Sequence, residues 1–127
     1  MDTTTKWGQE AYYGLDHEFD PQWFLTDAQR ELQAELIERC RTVLRPAAIE
    51  CDRTGRYPRE SLEALADLRL LAVIVPQKWG GRGENHVGTL MVTETIARYG
   101  CPSTALIYMM HMVAVVAGRR FLLRRQE

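Results

Sequence analysis

The stretch that decides the fold runs from residue 70 to residue 118, LLAVIVPQKWGGRGENHVGTLMVTETIARYGCPSTALIYMMHMVAVVAG. It opens with a short apolar run, turns at Gly80-Gly81-Arg82-Gly83, and continues into two segments of helical character. The second segment, after Pro102, is apolar on nearly every side. A helix without a polar face must be covered by other structure. Because 127 residues leave little chain to cover it, the stretch is typical of part of a larger protein.

The composition is that of an ordinary soluble globular chain. Hydrophobic residues make up 46% and charged residues 26% of the sequence, which is the usual range, and the length predicts one domain. The formal net charge is -1. The last nine residues hold four Arg and one Glu, so the remainder is mildly acidic and gives no reason to expect nucleic-acid binding.

The sequence predicts neither a signal peptide nor a membrane span. The first 24 residues are polar, acidic and aromatic, without the apolar core of a signal peptide. The longest apolar stretch, residues 105–117, is shorter than the ~20 residues that cross a bilayer.

Three cysteines, Cys40, Cys51 and Cys101, are expected to be reduced. If one helix carries Cys40 and Cys51, they lie ~16 Å apart along its axis, which is too far for a disulfide. The three cysteines and three histidines show no metal-ligand spacing. Reduced thiols indicate a cytoplasmic protein.

The first predicted helix begins with a capping box, in which Thr26 accepts an early amide proton and Gln29 reaches back. Apolar residues then recur at spacings of three and four: Leu32, Leu36, Cys40, Val43 and Leu44. Pro46 interrupts this pattern without changing its phase, so a kink is expected there rather than a stop. Gly55 ends the helix.

A second, shorter helix is predicted from Pro58, where a missing amide proton costs nothing. Its expected buried face comprises Leu62, Leu65, Ala66 and Leu68. The β-branched run at residues 70–75 has no partner strand elsewhere in the sequence, so an extended connector or a helix end is expected there.

The third helix is predicted at about residues 84–99, ended by Gly100. Its expected buried side comprises Val87, Leu90, Met91, Glu94 and Ala97. The fourth is predicted from Pro102 to about Ala117, with Gly118 as its stop. These elements predict an all-α bundle of about four main helices.

Three regions are therefore expected: an irregular arm (residues 1–24), a helical domain (residues 25–118) and a basic tail (residues 119–127). The arm carries six aromatic residues: Trp7, Tyr12, Tyr13, Phe19, Trp23 and Phe24. Packing of this arm on other structure and a mobile tail are both open. For the basic tail, a solvated end is favoured over a membrane-binding segment.

Few residues are candidates for chemistry. The glycine-rich turn fits neither a dinucleotide nor a P-loop motif, which favours a structural turn. On the predicted buried side, Glu94 is interpreted as the partner of an Arg on a neighbouring helix rather than as a functional carboxylate. His111 is interpreted as a satisfied core residue. Met109, Met110 and Met112 fit either a core or the flexible wall of an acyl-chain tunnel.

Short sequence pieces in a fixed order carry a family resemblance. They are LTDAQ at 25–29, Arg45-Pro46 followed by DRTG at 52–55, Tyr57-Pro58, Val75-Pro76 with WGGRG at 79–83, VTE at 92–94 with Ala97-Arg98-Tyr99-Gly100, and the segment 103–111. In this order and spacing the sequence resembles the N-terminal helical domain of the acyl-CoA dehydrogenases. Arg69 departs from the pattern, because the family often has Gly before the Val-Pro pair. After Ala117 the resemblance stops.

The resemblance implies an FAD-dependent oxidoreductase that introduces a double bond between Cα and Cβ of an acyl-CoA, with electrons passed to an electron-transfer flavoprotein. It also implies a homotetramer, in which the flavin and the catalytic Glu belong mainly to a β-domain and a second helical domain beyond this stretch. By alignment on Tyr99-Gly100-Cys101, the family's acyl-chain wall falls on Ala105, Leu106 and Met109. No residue here matches the catalytic base or a flavin ligand.

The expectation is therefore a fragment of such an enzyme that binds little FAD and does not turn over by itself. A flavin-dependent monooxygenase of the same superfamily and a stand-alone helical interaction module are the alternatives.

Overall fold

A computed structural model describes the backbone of residues 24–124 and the side chains of residues 24–118. Its helices are α1 (Asp27–Arg39), α2 (Arg45–Thr54), α3 (Arg59–Asp67), α4 (His86–Thr95) and α5 (Pro102–Arg124). A first π-helical segment (Cys40–Leu44) joins α1 to α2, and a second (Ile96–Gly100) extends α4. Four helical rods result, with no strand between residues 24 and 124. The predicted all-α bundle is confirmed.

The first rod begins and ends where the sequence predicts. The Thr26 hydroxyl accepts the N–H of Gln29 at 3.2 Å, and the Gln29 side chain accepts the N–H of Thr26 at 3.1 Å. At the other end Gly55 adopts φ +70°, a conformation that costs glycine little. Both the capping box and the terminator are confirmed.

The helix continues through Pro46 rather than stopping there, as predicted, and an irregular turn precedes the proline. The N–H of Arg45 bonds to the carbonyl of Cys40, five residues back, and α2 then continues through Pro46. Proline lacks an N–H and its ring conflicts with the carbonyl four residues earlier. A π-helical turn is one way in which a helix accommodates the loss of a backbone hydrogen bond at a proline.

One hydrophobic core joins all four rods. Its largest fully buried side chains include Leu36 and Leu44 of the first rod, Leu65 of α3, Ile96 after α4 and Tyr108 of α5. The two π-helical segments meet in this core, where a Cβ on Gly100 would lie 3.3 Å from Cys40 Sγ and from Leu44 Cβ. Glycine at position 100 therefore permits the close approach of these two segments.

The buried face of α3 differs from the prediction at one residue. Ala66 is exposed, whereas Ser61 and Ala64 are buried beside Leu65. Alanine contributes little to hydrophobic periodicity, so its place on a nine-residue helix is decided by packing.

Residues 70–75 form helical turns, in agreement with the rejection of a strand. Leu70–Ala72 and Gln77–Trp79 are 3₁₀ turns. The segment is entered through Arg69, whose φ of 55° is left-handed. The resembled family often has glycine at this position. The chain keeps the same turn with an arginine, whose Cβ makes the left-handed conformation less favourable than it is for glycine.

The orientation of α4 contradicts the prediction. Val87, Leu90, Glu94 and Ala97 are exposed, and of the predicted face only Met91 is buried. The core side instead comprises Gly88, Met91, Val92, Thr95 and Ile96. Polar Thr95 is tolerated there because its hydroxyl donates to the carbonyl of Met91 at 2.7 Å.

A small residue at the start of α4 fits this orientation. A Cβ on Gly88 would lie 2.7 Å from Oε2 of Glu84 and 3.3 Å from Nε2 of Gln29, the α1 side chain that donates to that carboxylate at 2.9 Å. Glycine thus lets the start of α4 approach α1. The exposed and buried stripes of α4 both have helical spacing, so periodicity alone could not choose between them.

The fourth helix continues through Gly118 to Arg124, so the predicted stop is wrong. A glycine ends a helix by adopting positive φ, and Gly118 is not among the glycines that do so. None of the helices in the described part is long and apolar enough to cross a membrane. The arm and its aromatic residues lie outside the described residues, except Phe24, which is half exposed. The side chains of the basic tail also lie outside them.

Candidate functional site

An uncharged apolar surface runs along one side of α5. It comprises Leu106, Met109, Met110 and Val113, with exposed fractions of 58%, 48%, 67% and 70%, and is called the outer face of α5 below. No Asp, Glu, Lys or Arg occurs between residues 102 and 118. Single exposed apolar residues are ordinary, but four on one side of a helix over about two turns mark a surface suited to binding.

The predicted acyl-wall residues divide between two sides of this helix. Leu106 and Met109 lie on the outer face, whereas Ala105 is 4% exposed and belongs to the core. Ala105 lies one helical turn before Met109 and is therefore its neighbour on the helix, on the side that faces the core. The structure therefore brings Leu106 and Met109 together and places Ala105 behind them.

Two side chains fix the rotation of α5, and with it the direction of the outer face. The Tyr108 hydroxyl donates to the carbonyl of Leu70 at 3.2 Å, and His111 Nε2 lies 2.7 Å from the carbonyl of Leu71. Burial raises the pKa of Tyr108, so its hydroxyl remains a donor. His111 is satisfied as expected, but it is exposed instead of being a core residue.

The three methionines are also divided. Met112 is 5% exposed and lies in the core, whereas Met109 and Met110 belong to the outer face. Val113 was not predicted as a site residue, and Met110 was named only as one of three methionines that fit either a core or a tunnel wall. Their spacing from Leu106, four and seven residues, was the available signal.

The glycine-rich turn is structural, as predicted. Its backbone N–H groups bond to nearby carbonyls: Gly80 to Gln77, Gly81 to Pro76, Arg82 to Ala72, Gly83 to Val75 and Glu84 to Val73. A phosphate-binding loop needs free N–H groups pointing at the ligand, and here those groups are already used. The turn does not fit the diphosphate of a flavin dinucleotide.

Glu94 is an exposed surface residue. Its carboxylate lies 3.3 Å from Arg98 of the same rod, with 53% of its side chain exposed. The predicted ion pair therefore exists within one rod instead of between neighbouring helices. Arg98 and Arg41 also flank the ring of Tyr99, at 5.9 and 5.4 Å from its centroid. Exposed pairs of this kind contribute little to stability and indicate no catalytic carboxylate.

The three cysteines are free thiols, as expected, but they differ in environment. Cys40 is fully buried, and burial raises its pKa to about 11. Burial also raises the pKa of Cys101, but the nearby polar groups of Thr104 and Ser103 outweigh it, so its pKa is lowered from the usual value. No group of three metal-ligating side chains occurs within the part of the chain that the structure describes.

Comparison with known proteins places residues 26–120 in one family model, "Acyl-CoA dehydrogenase, N-terminal domain". A 3-sulfinopropanoyl-CoA desulfinase of Paraburkholderia xenovorans is 32% identical over 97 residues, which is 76% of this chain and 25% of that protein. The "Probable medium-chain specific acyl-CoA dehydrogenase 2, mitochondrial" of Caenorhabditis briggsae is 32% identical over 82 residues, 65% of this chain and 20% of that protein. No solved structure shows a significant match.

The chain spans about a quarter or less of the length of these relatives. The match begins at the capping residue Thr26 and extends two residues beyond Gly118, so it contains α1 to α4, α5 as far as residue 120, and the outer face. The chain belongs to the acyl-CoA dehydrogenase family, and residues 26–120 are that family's N-terminal domain.

Proposed function

We propose that this chain is the helical N-terminal part of an FAD-dependent acyl-CoA dehydrogenase, in which the outer face of α5 lines the acyl chain of the substrate. Membership of the family supports the reaction class, an oxidation of the acyl group. The exposed apolar surface at Leu106 and Met109 is the observation that carries the assignment to this helix.

The chemistry of the outer face suits an acyl chain. An alkyl chain offers only dispersion contacts and the release of water, so its wall needs apolar side chains without charge. Leu106 supplies fixed apolar area, and Met109 can adjust to chains of different shape. Ala105 lies behind them in the core, so Leu106 and Met109 are the two of the three residues that would touch the alkyl chain.

The rest of the active site is assigned, as part of this proposal, to structure outside the described bundle. The glycine-rich turn does not fit a flavin, and Glu94 is an exposed ion-pair partner instead of a base. Following the family resemblance, we assign FAD, the catalytic Glu, tetramer contacts and docking of an electron-transfer flavoprotein to further domains of a longer protein. The chain itself is expected to be colourless and inactive.

A desulfinase is the second candidate function. Relatives in Paraburkholderia, Variovorax and Advenella all bear the name 3-sulfinopropanoyl-CoA desulfinase, at 32–34% identity. Such a substrate is also an acyl-CoA, but its acyl group is short and ends in a charged sulfinate. An uncharged wall such as the outer face favours an alkyl substrate over this one.

Chimaeric enzymes test this proposal. Residues 26–120 would replace the matching segment of the Caenorhabditis dehydrogenase, and of the Paraburkholderia desulfinase in a second chimaera. Flavin content and turnover of octanoyl-CoA and 3-sulfinopropanoyl-CoA are then measured. The dehydrogenase assignment expects flavin-loaded protein that oxidises octanoyl-CoA. Activity restored only on the sulfinate substrate would establish the desulfinase instead.

A matched pair of variants tests the acyl wall. Leu106→Asp should raise KM for octanoyl-CoA in the active chimaera, because it places a charge beside the alkyl chain. Leu90→Asp, at an equally exposed leucine on α4, should leave KM unchanged. Equal effects of the two variants would refute the assignment of α5 as the wall. A flavin-loaded, active preparation of the isolated chain would refute its status as a fragment.

A further inference from the structure

Two arginines and a tyrosine form a group on the surface where the two π-helical segments meet. Arg41 belongs to the first segment, and Arg98 and Tyr99 belong to the second. The guanidinium carbons of Arg41 and Arg98 lie 5.4 and 5.9 Å from the centroid of the Tyr99 ring, within the range of cation–π contacts. These three residues are called the arginine cluster below. Because the half-buried Tyr99 packs against the core, its ring keeps both arginine side chains in one place.

The arginine cluster carries more positive charge than its neighbours neutralise. Arg98 is paired with Glu94 at 3.3 Å. Arg41 is exposed and forms no ion pair with any residue between 24 and 118, not even with Glu38 one turn earlier. Arg45, four residues later, is also exposed and has no ion pair within the same range. A guanidinium group that packs on an aromatic ring still presents its N–H groups at its edge, in the fork that fits a carboxylate.

Carboxylates are concentrated in the N-terminal arm of the same chain. Residues 1–23 contain five acidic residues and one lysine, which gives a net charge of −4. Three of the five, Asp16, Glu18 and Asp20, fall within the sequence DHEFD at residues 16–20. Residues 16–20 are called the acidic segment below. Their charge is opposite to that of the arginine cluster, which favours attraction between the two.

The length of the connecting chain decides which carboxylates can reach the arginine cluster. Arg41 lies 14 residues after Asp27, the first residue of α1, which is ~21 Å along a helix. An extended chain spans ~3.3 Å per residue, so Glu18 can lie ~20 Å and Asp16 ~26 Å from Phe24. Asp20 can lie only ~13 Å away. Asp16 and Glu18 are therefore within reach of the cluster, and Asp20 is not.

We propose that the acidic segment docks on the arginine cluster of its own chain, with Asp16 and Glu18 as the carboxylates that meet Arg41 and Arg98. Exposed ion pairs are individually weak. The covalent link, however, gives an effective concentration of the order of millimolar, so a weak contact is sufficient to hold the segment. Docking returns the arm along α1, so that its aromatic residues lie against the bundle instead of in water.

Zero-length cross-linking of the full chain tests this contact. Arg41→Lys keeps the positive charge and supplies an amine that a carbodiimide joins to a carboxylate in direct contact. Arg53→Lys is the matched control, because Arg53 is 70% exposed on the same rod and is paired with Glu50. Peptide mass spectrometry should find position 41 linked to Asp16 or Glu18 several-fold more often than position 53.

A mixture of isotope-labelled and unlabelled chains separates contacts within one chain from contacts between copies. Links confined to peptides of one isotopic composition are expected. Links between labelled and unlabelled peptides would place the acidic segment on a second copy and would overturn docking within the chain. Equal linking from positions 41 and 53, or linking of position 41 to Glu38 alone, would also overturn the proposal.

Charge reversal provides a second measurement. Arg41→Glu should raise the rate of chymotrypsin cleavage at Phe19 several-fold, because repulsion releases the acidic segment. About 1 M NaCl, where the Debye length is ~3 Å, should have the same effect on the parent chain. Arg53→Glu should leave the rate unchanged, and Glu18→Arg should restore slow cleavage to the Arg41→Glu variant. Circular dichroism verifies folding, and equal cleavage rates for Arg41→Glu and Arg53→Glu count against docking at the arginine cluster.

Discussion

Replacement of Gly81 by alanine should unfold the turn that leads into α4. A Cβ at this position would overlap the carbonyl oxygen of Val75 and lie 2.5 Å from its carbonyl carbon. Both atoms belong to the backbone, so no side-chain rotation relieves the conflict. Separations below 3.0 Å are essentially absent for real Cβ atoms, so the two arms of this turn must part by about an ångström.

The magnitude follows from the hydrogen bonds that such a shift would break. Residues 82, 83 and 84 donate to the carbonyls of Ala72, Val75 and Val73 at 3.3, 2.8 and 2.9 Å. At about 1 kcal/mol for each bond, Gly81→Ala should cost about 3 kcal/mol. For a domain of this size that loss lowers the melting temperature by about 12 °C or more.

The neighbouring glycine provides the control. Gly80 has a φ of +85° and no atom within 4 Å of its would-be Cβ, so Gly80→Ala tests backbone strain without a clash. Left-handed strain costs about 1–2 kcal/mol, partly offset by a less flexible unfolded chain. Urea unfolding followed by far-ultraviolet circular dichroism measures both variants. If Gly81→Ala costs no more than Gly80→Ala, the close approach to Val75 is refuted.

Three further predictions concern strain, orientation and pH. Arg69→Gly should stabilise the fold by up to about 1 kcal/mol, because glycine adopts the left-handed φ of 55° without steric strain. The greater flexibility of glycine in the unfolded chain offsets part of this gain. A lower urea midpoint for the variant would show that the backbone at residue 69 is not left-handed. Val92→Ala should lower the free energy of unfolding by about 2 kcal/mol because Val92 is fully buried. Leu90→Ala should lower it by less than about 0.5 kcal/mol because Leu90 is 69% exposed. If urea unfolding gives the reverse order, the side of α4 that carries Leu90 faces the core. Stability should fall between pH 9.0 and about 11, since the thiol of Cys40 ionises in the unfolded chain at 9.0 but only near 11 when folded. Cys40→Ala should flatten this fall, which is measured as the difference in the urea midpoint between the two pH values, and an unchanged slope would show that Cys40 is not buried.

Local signals in the sequence determined the ends of the first rod and the helical class. The capping box at Thr26 and the terminator at Gly55 act through atoms a few residues apart, so the residue types suffice to place them. The ordered motifs also identified the family, because their spacing spans the whole bundle. Because no second segment of the sequence could pair with residues 70–75 as a neighbouring strand, the sequence was sufficient to reject a strand there.

Only the tertiary structure decided which sides of α4 and α5 face the core. In α4 two stripes share helical spacing, and the choice depends on how the start of α4 meets α1, where Gln29 donates to Glu84 and Asn85, residues far from it in sequence. The rotation of α5 depends in the same way on Tyr108 and His111 meeting the backbone of the 3₁₀ turn. These contacts expose Leu106 and Met109 and bury Ala105. Periodicity reports that a face exists, but the direction of that face is set by non-local packing, which residue types alone do not encode.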